Sequence, residues 1–155
     1  MSEIVAIYCR NGHYVGGISV YGYPGHTPVK TNSDQSFCKG CGAPTINACT
    51  SCKEVILLSS DQPRYCGACG KPYPWTEATL TAAKEYTQEL EELTAEDKAA
   101  LIATFDDLVA DTPRTELAAH RFKKLIRKSG PVAGEFLRKM IVDIASETAV
   151  KLLKP

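Results

Sequence analysis

The sequence predicts an α+β protein in two parts, with small β-hairpins over residues 1–75 and a bundle of α-helices over residues 76–155. Three observations lead there. All seven cysteines lie before Trp75, and six of them form C-x-x-C pairs. Runs such as YVGGISVYGY and EVILLSS, punctuated by Gly, Pro, Asn and Ser, have the pattern of short strands joined by tight turns. After Trp75 cysteine disappears, and apolar residues recur at helical spacing between capping signals.

The helical half reads as four segments. Thr76 is a candidate N-cap, with Glu77 in the first turn and Leu80, Ala83 and Leu90 on one face. Thr94 with Asp97 resembles a capping box and leads into Leu101, Ile102, Phe105, Leu108 and Val109. Thr112-Pro113 reads as a cap followed by proline at the first helical position, ahead of Leu117, Phe122, Leu125 and Ile126. Gly130 ends that helix. Pro131 starts the last, whose stripe runs through Phe136, Leu137, Met140, Ile141, Ile144, Ala145 and Leu152. At 1.5 Å per residue it would reach roughly 30 Å. These stripes predict the core of a bundle.

The N-terminal half carries the chemistry. Cys38/Cys41, Cys49/Cys52 and Cys66/Cys69 each have the two-residue spacing that lets a tight turn aim two sulfurs at one ion. Gly42 and Gly70 follow two of the pairs and supply the positive φ of such a knuckle; Lys53 takes that place in the other. A structural zinc takes four ligands in a tetrahedron. Cys49, Cys52, Cys66 and Cys69 make one set, with 13 residues between the pairs, a length suited to a hairpin. Cys38 and Cys41 then need two more ligands, and the stretch CRNGH offers Cys9 and His13 across 24 residues, room for a hairpin built from GGISVYGY and its return. His26, in PGHTP, is the alternative to His13, although Cys-x-x-x-His on one turn is the easier geometry. The other open alternatives are a cross-braced pairing of the same eight ligands and a free buried Cys9. His120 reads as a bundle or surface residue. Residues 1–75 with this much Gly and Pro bury too little apolar surface to fold alone, so two Zn2+ ions are expected to supply the missing free energy.

No apolar run approaches the roughly 18 residues of a membrane helix. The opening MSEIVAIYCRNGH lacks a basic start and an apolar h-region. The expected compartment is therefore the cytoplasm, where paired cysteines hold metal rather than form disulfides. The formal net charge of zero hides an asymmetry. Residues 76–112 carry two Lys/Arg against ten Asp/Glu, and residues 113–155 carry ten against four. The simplest reading is that acidic and basic helices pack side by side.

The run FCxxCGAP, then CxxC, then RYCxxCGKP resembles the double zinc ribbon module over about residues 9 to 70. That resemblance implies sequential pairing of the first two knuckles and of the last two. The whole chain resembles a family of uncharacterised bacterial zinc-ribbon proteins, in the opening CxNGH, the FCxxCGA knuckle, the YCxxCGKPYPWTE junction, the TPRT helix start and the DIASETA-like last helix. The family resemblance implies His13 over His26, a bacterial origin and the two-part build, tandem zinc ribbons followed by a helical bundle.

Two functions compete. Filled metal sites, the absence of a nucleophile–base set and long amphipathic helices predict a non-enzymatic protein that docks an unknown protein partner or a second copy of itself. Nucleic-acid binding is the alternative, through Arg121, Lys123, Lys124, Arg127, Lys128, Arg138 and Lys139 with Tyr21 and Tyr23 as stacking groups. Against it, seven thiolates and two zinc ions leave a chain near −3, without the broad basic footprint of a general nucleic-acid binder. A redox sensor releasing zinc on oxidation is a third and weaker reading.

Overall fold

The computed structural model describes residues 3–20 and 36–154. The expectations for Tyr21, Tyr23, His26 and the return of the GGISVYGY hairpin lie outside those residues. The chain is α+β, a small antiparallel sheet followed by five helices. It divides into two compact units between Glu77 and Ala78.

In the first unit, β1 (Glu3–Cys9), β2 (Tyr14–Val20) and β3 (Thr45–Ile46) form a sheet in the order β2-β1-β3. Strand β1 is central and buried from Val5 to Cys9. GGISV pairs with the upstream strand, Glu3 opposite Val20 and Ile7 opposite Gly16, so the tip of this hairpin is CRNGH itself. The register slips between Ile7 and Tyr8, a bulge beside the first ligand. The EVILLSS run does not close a hairpin of its own. It lies along β1 through a single bridge, Val5 to Leu57, with the Ala6 amide donating to the Ile56 carbonyl at 2.7 Å and the Leu58 amide to the Ile4 carbonyl at 2.8 Å.

The core of this unit is Ala6, Tyr8, Ile56, Tyr73 and Trp75 with the buried thiols of Cys49 and Cys66. Tyr73 stacks on Trp75 with ring centroids 4.9 Å apart, and Trp75 meets Tyr8 at 5.1 Å. The Trp75 indole N–H, which has no water partner when buried, donates to the Pro63 carbonyl at 2.8 Å.

The second unit holds most of α1 (Pro74–Gln88), with α2 (Ala95–Val109), α3 (Thr115–Ile126), α4 (Pro131–Val142) and α5 (Glu147–Leu153). Thr94 caps α2 as the pattern predicts, accepting from the Asp97 amide at 3.1 Å. Leu101, Phe105, Leu108 and Val109 are buried with Phe122, Leu125, Leu137 and Ile141.

Other boundaries differ from the expectation. Helix α1 starts at Pro74, because the Thr76 hydroxyl donates to the Arg64 carbonyl at 2.9 Å instead of capping. Helix α3 starts at Thr115, with the Thr112 hydroxyl accepting from the Arg114 amide just upstream. The last helix is two helices. Ser146 is fully buried, its amide donates to the Leu108 carbonyl at 2.9 Å, and its hydroxyl caps α5 by accepting from the Ala149 amide. An α-helix running through position 146 would need that amide for its own ladder. Of the expected stripes, Leu117 and Phe136 are exposed. Among the described residues, no helix is long and apolar enough to cross a membrane.

Candidate metal centres

The three C-x-x-C turns share one backbone construction. In each, the amide of the first cysteine donates to the carbonyl five residues on (Ala43, Glu54, Lys71), at 2.8 to 2.9 Å. The amide of the fourth residue on (Gly42, Lys53, Gly70) donates back to the first cysteine's carbonyl. Single bridges, Phe37 to Pro44, Ala48 to Val55 and Tyr65 to Pro72, close each turn. The fourth-residue position lies in the left-handed region, with φ 74° at Gly42, 75° at Gly70 and 68° at Lys53. Lys53 therefore adopts the conformation its neighbours reach with glycine, at a steric cost of about 1–2 kcal/mol.

CRNGH is a fourth, shorter knuckle. The Cys9 amide donates to the His13 carbonyl and the Gly12 amide to the Cys9 carbonyl, both at 2.9 Å. Gly12 has φ 91°, and a Cβ there would fall 2.5 Å from Gln62 Nε2 and 2.9 Å from Trp75 Cβ.

These turns bring the eight predicted residues into two clusters, Cys9/His13/Cys38/Cys41 and Cys49/Cys52/Cys66/Cys69. Within each cluster the four ligand atoms lie within 4.8 Å of one another. A tetrahedral ion with bonds of about 2.3 Å to sulfur and about 2.0 Å to nitrogen needs ligand edges of about 3.8 Å (S to S) and about 3.5 Å (S to N). The Sγ atoms of Cys49 and Cys69 are 3.7 Å apart, those of Cys52 and Cys66 3.6 Å, and those of Cys9 and Cys41 3.7 Å. His13 presents Nδ1, at 3.5 Å from Cys9 Sγ and 3.6 Å from Cys38 Sγ. Both clusters fit one tetrahedral ion each. All seven cysteines are free of disulfides, and in each C-x-x-C pair the first is buried and the second exposed.

Amide donors point at the sulfurs. His13 N–H reaches Cys9 Sγ at 3.3 Å, Gly40 N–H reaches Cys38 Sγ at 3.4 Å, and the Asn11 side-chain amide reaches Cys41 Sγ at 3.4 Å. The Ala43 amide, helped by Asn11, lowers the Cys41 pKa to about 6, and the Cys52 and Ser51 amides lower Cys49 to about 6. Opposing the Glu54 amide, desolvation and the neighbouring Cys66, Cys69 and Cys49 push Cys52 up to about 12. Hydrogen bonds with Cys41 and Cys38 raise the His13 pKa. Amide donors thus favour the thiolate at Cys41 and Cys49 while burial and neighbouring thiols oppose it at Cys52, and a divalent cation would let all four ligands of a set bind deprotonated.

Two supporting residues were missed by sequence reasoning. Asn11 sits inside CRNGH, where its position in a ligand turn was the available signal. Tyr73 shares a buried cluster with Cys66, and burial, then the charge and hydrogen bond of Cys66, push its hydroxyl up to about 12. The choice of Nδ1 over Nε2 at His13 had no sequence signal. His120 is exposed on α3 and belongs to neither cluster. Of the basic residues of α3, α4 and the 3-10 turn between them, Lys128 pairs with Asp97 and Arg138 with Glu135.

A small sheet and its knuckles gather two Cys/His clusters that could each hold one metal ion, and a helical unit follows. The profile of the family described as "Uncharacterized protein conserved in bacteria (DUF2321)" matches residues 3–153, and the chain belongs to that family. No curated protein and no solved structure matches it.

Proposed function

We propose that the chain is a non-enzymatic cytoplasmic protein that holds two structural Zn2+ ions and mediates contact between proteins. Zinc is the ion best suited to compact sets of four thiolates, or of three thiolates and an imidazole. The observation that carries the reading is that each cluster supplies four protein ligands from turns that also build the fold. An ion so held has no open position for an activated water, which separates a structural site from a catalytic one. Seven free thiols suit a reducing compartment. Metal analysis of the purified chain is expected to return two zinc per chain, and one zinc, or another metal, would refute the assignment. Capture of partners from native lysate with nuclease present tests the second half of the reading, which predicts protein partners that survive the treatment.

Nucleic-acid binding is the second reading. It is favoured by Arg121, Lys123, Lys124, Arg127 and Lys139, which make no ion pair among the described residues. Affinity for single-stranded or duplex nucleic acid that falls steeply with salt would replace the first reading with this one.

A further inference from the structure

Helix α4 turns Gly134, Leu137 and Ile141 inward. On its opposite side Val132 is 83% exposed and Phe136 50% exposed, one turn apart. The Tyr86 ring of α1 lies 4.8 Å from that of Phe136 and widens the apolar strip. A valine and a phenylalanine this open on one ridge, with Tyr86 beside them, form a small exposed apolar strip.

What flanks the ridge selects its occupant. On the Ala133 side is a cleft of about 530 Å³ bordered by Glu89, Glu91 and Glu92. On the Glu135 side a second cleft is bordered by Arg127. Glu135 itself is neutralised by Arg138, while Arg127 and Lys139 make no ion pair among the described residues. At 100° per residue, Ala133 and Glu135 fall on opposite sides of the Val132–Phe136 line. The order across this face is acidic, apolar, basic. A covering partner must present basic, apolar, acidic, which is this same surface turned over.

We propose that α4 is a self-association surface whose occupant is a second copy of this chain. A twofold axis along α4 sets the Val132–Phe136 ridges together and puts Glu89, Glu91 and Glu92 of each copy opposite Arg127 of the other, the self-complementarity an isologous dimer requires. This deepens the contact-mediating reading above by naming a partner and depends on it. Sedimentation velocity of the pure full-length chain, over a concentration series at low and high salt, tests it without a lysate. A dimer is expected that weakens with salt. V132E should raise the dissociation constant at least tenfold with zinc content and helicity unchanged, whereas L117E, at an exposed leucine of α3, should leave it unaltered. E92K and R127E should each weaken the dimer, and combining them should restore it. A chain monomeric at every concentration, or a dimer indifferent to V132E, overturns the proposal. Either result leaves the lysate capture to judge the broader reading separately.

Discussion

The two metal clusters use the same knuckle but are embedded differently. In the Cys49/Cys52/Cys66/Cys69 cluster, the buried sulfurs of Cys49 and Cys66 belong to the aromatic core with Tyr8, Tyr73 and Trp75. The Cys9/His13/Cys38/Cys41 cluster is built from a hairpin tip and one knuckle, and its thiols, although Cys9 and Cys38 are buried, are not part of that aromatic cluster. The first cluster therefore has a structural load beyond its own loops, and the second ties a strand end to a turn. Equal ligand count does not mean equal consequence for the fold.

Substitutions separate the two. The largest effect is expected for Cys66→Ser, which breaks a site whose occupancy is worth on the order of 10 kcal/mol, against a total stability of about 5–15 kcal/mol for a domain. It should collapse the core, lose both zinc ions and shift Trp75 fluorescence to that of an exposed indole. Cys41→Ser should lose one zinc and leave Trp75 fluorescence in place. Metal content and emission of the two variants, measured together, decide the matter; equal behaviour would erase the distinction.

A smaller effect is expected for Gly12→Ala. Its φ of 91° and the approach of a Cβ to Gln62 and Trp75 should cost about 1–3 kcal/mol. A chelator competition should then draw zinc from the Cys9/His13 cluster first. The smallest effect is a gain. Lys53→Gly relieves about 1–2 kcal/mol of left-handed strain and adds about 0.5–1 kcal/mol of unfolded-state entropy, so denaturant unfolding should show a stabilisation of at most about 1.5 kcal/mol.

The parts of this molecule visible in its sequence are those set by local spacing. C-x-x-C and CRNGH each place two ligands on one turn, so the four half-sites could be named before any coordinates, while their sequential pairing and His13 over His26 rested on the resemblance. Thr94 capped its helix because its partner, Asp97, is three residues away. The misses trace to distant partners. Thr76 gives its hydroxyl to Arg64, and Ser146 gives its amide to Leu108, thirty-eight residues upstream. Neither bond leaves a trace in nearby residues. The pairing of GGISV with β1 turned on CRNGH being a hairpin tip as well as a ligand pair, two roles that one pentapeptide fills at once. The exposure of Phe136 was hidden for another reason: helical periodicity marks an apolar ridge whichever way it faces.

The contact between Tyr8 and Trp75 spans nearly the whole first unit, and it imposes an order on biosynthesis. As the chain leaves the ribosome, β1 with Cys9, and then His13, emerge before the other half of their cluster and before the ring that covers Tyr8. Contacts of such sequence separation form late because the intervening loop must close before they contribute. The Cys9/His13 cluster stays incomplete until Cys41 has cleared the exit tunnel, and the second cluster until Cys69 has. On the two-ion reading proposed above, the ring of Trp75 would then close over Tyr8 only after both ligand sets are complete.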